Sequence, residues 1–189
     1  IGLADYLNEW LETENQNQNK VNNEKVNING IEFSKNEIND DILNHINEVL
    51  GDEDFEFIDG VFSTCKAFYD AGYKIIIVTN QSGIGRGYYT QHDFLMLTGW
   101  MKNQFSAHDI EVADVYFCPH HPKKALPEYL KQCNCRKPAP GMLLEGIDTH
   151  NIDPKKSIMV GDKLSDMQAA SNASIGVKVL VRSGKDLPS

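Results

Sequence analysis

From Gly51 onward the chain alternates between two hydrophobic periods. Val61, Phe62, Cys65, Phe68 and Tyr69 recur at helical spacing, and Ile75, Ile76, Ile77 and Val78 then run without a polar interruption. The first pattern gives a helix one apolar face; the second suits a strand covered on both faces, as in parallel sheets. It predicts a helix over 60–71 and a strand over 74–79. Thr90, with Asp93 three residues on, is a capping pair that opens a second helix carrying Phe94, Leu95, Leu97, Trp100, Met101 and Phe105. Strands over 112–117, 157–161 and 177–182, with helices from Pro140 and Ser165, complete the alternation. Strands joined by crossover helices predict a doubly wound parallel α/β sheet, with ligands at the carboxyl ends of its strands.

The first fifty residues read differently. The stretch 14–29 is rich in Asn, Gln, Lys and Glu, which predicts a solvated linker that cannot build a core. Leu3, Tyr6, Leu7, Trp10 and Leu11 before it, and Ile38, Ile42, Ile46, Val49 and Leu50 after it, have the spacing of short helices. The expected organisation is therefore an atypical N-terminal segment, 1–50, and an α/β domain, 51–189.

Charge narrows the partners. The 189 residues carry a net charge of −9, and nucleic acid is not expected, because phosphate neutralisation needs clustered Lys and Arg. No apolar run approaches membrane-spanning length and none has the pattern of a signal peptide, so a cytoplasmic monomer without a membrane partner is expected. Local basic residues, Arg86, Lys123, Lys124, Arg136, Lys137 and Lys163, still fit a small phosphorylated ligand.

The chemistry concentrates after the second predicted strand. Cys118 and His120, then Cys133 and Cys135, place two soft ligands within three positions twice over. Together they make the four-ligand thiolate and imidazole set of structural zinc, although zinc loops more often space each pair by two to four residues. Two disulfides, or four unrelated thiols, are the competing reading; a disulfide joining Cys133 to Cys135 would be strained, and Cys118 would be left with Cys65, which lies in an apparent helix. Prolines 119, 122, 138 and 140 make 118–140 an excursion rather than a helix or strand.

Polar motifs also fall at the strand ends. Thr79, Asn80, Gln81, Ser82 and Gly83 could offer hydroxyl and amide donors to an anion, or could be an ordinary polar turn. Asp162 at the next strand tip and Asp166 in the following helical turn suit a hard cation such as magnesium; alternatively, Asp166 caps its helix.

Six stretches taken together resemble a known family: FEFIDGV (55–61), VTNQSGIGRG (78–87), YFCPHHP (116–122), CNCRKPAPGMLL (133–144), MVGDKLSDMQAA (159–170) and KVLVRSGK (178–185). They are similar, in order, to the haloacid dehalogenase-type phosphatases, and most closely to the zinc-containing sugar-bisphosphate and histidinol-phosphatase subgroup. The resemblance spans about 52–188. It implies magnesium-dependent phosphomonoester hydrolysis of a phosphosugar, most closely the 7-phosphate of a heptose bisphosphate in lipopolysaccharide precursor synthesis. It also implies that Thr79 and Lys137 serve the transferred phosphoryl group, that Asn80, Gln81, Ser82, Arg136 and Lys163 contact substrate, and that Asp162 holds Mg2+ while Cys118, His120, Cys133 and Cys135 hold Zn2+.

The family's Asp-x-Asp-Gly, whose first Asp is the nucleophile and second the general acid, is not identified. Asp52 and Asp54 lack the following Gly and abut FEFIDG. A replaced first segment, a motif lying upstream, and a binding-only relative each account for this.

Overall fold

The computed structural model describes residues 25–28, 31–34 and 57–182. Its elements are β1 (Lys25–Ile28), β2 (Ile31–Ser34), α1 (Val61–Asp70), β3 (Ile75–Asn80), α2 (Ser82–Arg86), α3 (Gln91–Ala107), β4 (Val112–Cys118), α4 (Gly141–Thr149), β5 (Ile158–Gly161), α5 (Leu164–Asn172) and β6 (Val177–Leu180), with 3-10 turns at Pro127–Tyr129 and Pro154–Lys156. The described residues fall into two compact units, one within 1–67 and 89–110, the other within 68–88 and 111–189.

In the first unit β1 and β2 form an antiparallel hairpin in which Val26 faces Phe33 and Ile28 faces Ile31. Residues 25–28, part of the linker expected over 14–29, are thus a strand, and 14–24 lie outside the described residues. Alternating apolar residues on either side of an Asn-Gly dipeptide are a hairpin signal, and the polar composition around them masked it. The helices expected over 3–11 and 38–50 lie outside the described residues. α3 begins where the capping pair placed it: Thr90 Oγ1 accepts from Asp93 N at 3.1 Å, and Asp93 Oδ2 accepts from Thr90 N. Its Phe94, Leu95, Trp100 and Phe105 are buried, and Phe57 stacks on Trp100 at 5.5 Å while Phe62 meets Phe105 edge-on at 5.2 Å. Cys65 on α1 is half-buried, and burial pushes its thiol up from the ordinary range.

The second unit carries the parallel strands. β3 pairs with β4 from Ile75↔Val112 to Asn80↔Cys118, and β5 pairs with β6 from Ile158↔Val177 to Gly161↔Leu180. Strands that end level in register bring their following turns to one edge, which is where the polar motifs fall. α4 lies against β3 and β4, and α5 against β5 and β6. Met159, Ala170, Ala173 and Ile175 form a buried cluster joined by Val78, Leu143, Ile147 and Met167. Among the described residues the four strands form two pairs; one feature departs from expectation, in that β3, read as fully buried, is half-buried along its length.

Candidate functional site

The soft ligands converge. Cys118 ends β4, fully buried, and the excursion after it returns Cys133 and Cys135 to the same point. The ligand atoms of Cys118, His120, Cys133 and Cys135 all lie within 4.8 Å of one another. Sulfur–sulfur separations are 3.5 Å for Cys118–Cys133, 3.0 Å for Cys118–Cys135 and 3.1 Å for Cys133–Cys135, and His120 Nδ1 is 3.4 Å from Cys135 Sγ. A tetrahedral zinc with bonds of about 2.3 Å to sulfur sets its ligands roughly 3.5–3.8 Å apart, so the four atoms fit with small adjustments. All four cysteines are free, against the disulfide reading.

Electrostatics within the cluster divides the thiols. Burial, reinforced by Cys135, pushes Cys118 far up, whereas Cys133 is held below its usual value because hydrogen bonds from Cys135, Arg136 N–H and Cys118 outweigh its burial. Desolvation and then Lys131 lower His120, favouring the neutral imidazole that a metal needs. The neighbouring His121 shapes the turn instead, its Nδ1 accepting from Lys123 N at 3.1 Å and Lys124 N at 3.0 Å. It is lowered first by desolvation and then by Arg136, Arg86, Lys124 and Lys123, which places these cations around it.

Two glycines let the backbone close around this loop. A Cβ on Gly141 would stand 2.3 Å from Asn134 O, and one on Gly85 2.3 Å from Pro119 O, so any larger residue would push the ligand-bearing strands outward. Gly141 N instead donates to Asn134 O at 2.7 Å, and Gly85 O accepts from Leu126 N at 2.6 Å.

The metal loop delivers Arg136 and Lys137. Arg136 Nη1 donates to His120 O at 3.1 Å, tying the guanidinium to the backbone of a ligand. Lys137 turns the other way: its Nζ donates to Val78 O at 2.8 Å and pairs with Asp166 Oδ1 at 2.8 Å. The two side chains are 11% and 5% exposed, so the pair is nearly shielded from water. Asp166 Oδ2 accepts from Lys163 N at 3.1 Å, closing the first turn of α5. Asp166 thus caps its helix and holds Lys137. Gly161 makes room for it, since a Cβ there would lie 2.6 Å from the carboxylate.

At the tip of β3, Gln81 Nε2 donates to Thr79 Oγ1 at 3.1 Å, and Gln81 N donates to Cys118 O at 2.8 Å, linking this turn to the metal strand. Both amide atoms of Asn80 are engaged with the Lys137 backbone: Nδ2 donates to its carbonyl at 3.1 Å and Oδ1 accepts its N–H at 3.0 Å. Asn80 therefore positions Lys137. No local pattern signals that pairing, because its partner is 57 residues away. Ser82 opens α2, half-buried; Asp162 follows β5, half-buried, and Lys163 is exposed. A half-buried carboxylate at a strand tip is a suitable oxygen donor for a hard divalent cation.

Hydroxyl, ammonium and carboxylate groups at the tips of parallel strands define an α/β protein equipped to handle an anion. Similarity to known proteins agrees. A family model described as HAD-hydrolase-like matches residues 134–189. The D-glycero-beta-D-manno-heptose-1,7-bisphosphate 7-phosphatase of Yersinia pestis is 50% identical over 133 residues, 70% of this chain and 71% of the relative. The protein of the same name from Vibrio cholerae is 45% identical over 149 residues, 78% of this chain and 80% of the relative. Among solved structures, D,D-heptose 1,7-bisphosphate phosphatase from B. bronchiseptica, complexed with magnesium and phosphate, aligns with a TM-score of 0.57 and 27% identity over 65% of this chain and 64% of that one. A HAD-like protein from Mesorhizobium loti aligns at 0.61 and 32% over 66% of this chain, and this chain spans 60% of its length. The chain belongs to the D-glycero-beta-D-manno-heptose-1,7-bisphosphate 7-phosphatase family of HAD-like hydrolases. No helix among the described residues is long and apolar enough to cross a membrane.

Proposed function

We propose that this chain carries the phosphate-handling site of a magnesium-dependent phosphomonoester hydrolase acting on the 7-phosphate of D-glycero-D-manno-heptose 1,7-bisphosphate. The observation that carries the reading is Lys137, an ammonium delivered by the metal loop to the tip of β3 and held there by Val78 O and Asp166. Phosphoryl transfer is catalysed chiefly by positioning and charge neutralisation, and a fixed, nearly dry cation serves both. Thr79 offers its hydroxyl beside it, with Gln81 and Ser82 in the same turn. Arg136 and Lys163 are substrate contacts, and Asn80 positions Lys137. Asp162 is the carboxylate that would hold Mg2+, which supplies further neutralisation of the phosphoryl oxygens when bound. Cys118, His120, Cys133 and Cys135 would hold Zn2+ and fix the loop that presents Arg136 and Lys137.

A binding-only reading is favoured by one observation: the 189 residues contain no Asp-x-Asp-Gly. Phosphate release from heptose 1,7-bisphosphate and from histidinol phosphate, each with magnesium and with EDTA, separates the readings. Magnesium-dependent release from the heptose alone supports the proposal; release from histidinol phosphate alone overturns it.

A further inference from the structure

β4 and α4 hold the metal loop between them at one end and meet again at the other. Cys118 closes β4, while Gly141 opens α4 with its N–H donating to Asn134 O at 2.7 Å, between Cys133 and Cys135. At the far end His150, which caps α4, donates from Nε2 to Asp114 Oδ2 at 3.1 Å. The helix therefore runs back along the strand, and the two spans match. The strand from Asp114 to Cys118 covers about 13 Å at about 3.3 Å per residue, and the helix from Gly141 to His150 about 14 Å at about 1.5 Å per residue. Strand, helix and the links at their two ends close a ring, with the soft ligands at one link and the Asp114–His150 pair at the other. The connection from the ligands to the helix is stiff, because Pro138 and Pro140 have a fixed φ and Ala139 N donates to Arg136 O at 2.9 Å.

We propose that Asp114 and His150 are a positioning pair for the metal centre: they set how far along β4 the helix sits, and hence the separation between Cys118 and the Cys133–Cys135 pair. The pair's role rests on the zinc assignment above. Helix and strand also approach closely at Gly146, where a Cβ would stand 3.2 Å from the Tyr116 ring. Burial of apolar surface is non-directional, however, and leaves the axial position of the helix open. A hydrogen bond has a preferred length and angle, and fixes it. An exposed ion pair ordinarily contributes little, because two mobile side chains must be ordered to make it. Here the partners are ordered in advance: Asp114 Oδ1 accepts from Val115 N at 2.9 Å, and Lys74 Nζ donates to His150 O at 3.3 Å. The Asp114 and His150 side chains are only 27% and 18% exposed, so water competes weakly for their bond.

The test uses the full chain with Zn2+, and then with Co2+ in its place as a spectroscopic probe. Asp114→Ala and His150→Ala should each weaken zinc retention against a competing chelator by about fivefold or more. The double variant should lose no more than the larger single loss, since either change opens the same link. The visible bands of the cobalt form, which report the geometry of the ligand set, should shift in all three variants. Thr90→Ala removes the cap of α3 in the other unit and lowers stability, but should leave both the chelator competition and the cobalt bands unchanged. Native retention in the single variants, additive losses in the double, or an equal loss in Thr90→Ala would overturn the proposal and leave the zinc assignment standing. A native chain that takes up neither ion would overturn the zinc assignment and the pair's role together. None of these readouts involves a phosphorylated substrate, so the result is independent of the phosphatase reading.

Discussion

Replacing Lys137 with Met keeps the length of the side chain but removes its charge, and the structure sets the cost. Lys137 Nζ lies 2.8 Å from Asp166 Oδ1, and with 11% and 5% exposure neither group can turn to solvent. At an effective dielectric of about 20, that separation corresponds to about 6 kcal/mol of attraction, much of it offset by the desolvation of both groups. Removing one member of a buried pair costs about 3–5 kcal/mol, because the remaining charge is stranded. Asp166 would keep the N–H of Lys163, which places Lys137→Met at the lower end, about 3 kcal/mol. With a slope of about 2 kcal/mol per molar urea, the midpoint should fall by about 1.5 M. Pairing Lys137→Met with Asp166→Asn removes the stranded charge, so the double variant should be more stable than the sum of the single effects by about 1 kcal/mol or more. A loss below about 0.5 kcal/mol, or strict additivity, would refute the view that this pair is a tight, water-shielded anchor.

Further outcomes follow from the same geometry. Purified protein should hold one zinc per chain by elemental analysis, and chelation should speed proteolysis within 118–140; metal-free protein with an unchanged loop would contradict the assigned ligands. Gly141→Ala, whose Cβ would stand 2.3 Å from Asn134 O, should displace Cys135 and weaken zinc retention against a competing chelator by about 10-fold or more. Asp114 accepts from His150 Nε2 at 3.1 Å, and although burial works the other way, hydrogen bonds from His150, Val115 N and Tyr116 hold its carboxyl below the usual range. A depressed carboxylate stabilises the fold above its unfolded pKa and loses that contribution as pH falls through the folded value. The stability gap between the native chain and Asp114→Asn should therefore be full at pH 7 and shrink below about pH 4; equal gaps in urea titrations at both pH values would exclude this role.

The parts of the site that depend on residue type and short spacing were legible in the sequence. The cysteine and histidine pairs, the Thr90–Asp93 cap and the strand tips at Thr79 and Gly161 were found because each involves neighbours within a few positions. Contacts closed by the fold were not. Nothing near Asn80 indicates that its amide will grip the Lys137 backbone, and nothing near Asp166 distinguishes a cation ligand from a lysine partner, since both need a carboxylate in the first turn of a helix. The β1–β2 hairpin is hidden from a reading by composition because the polar stretch around it is longer than the hairpin itself. The run Ile75–Val78 points to a strand covered on both faces, whereas β3 is half-buried along its length.

Engagement of the 7-phosphate of heptose 1,7-bisphosphate by the strand-tip site is the central claim. Phosphorus NMR of that substrate, titrated with the chain in magnesium, observes both phosphates at once. We predict that the 7-phosphate resonance moves and gives way to inorganic phosphate far more slowly than the usual rate of about 1 per second or more, since no nucleophile is identified, while the 1-phosphate persists. Both effects should vanish with Lys137→Met. Loss of the 1-phosphate instead, or a spectrum indifferent to the protein, would contradict it.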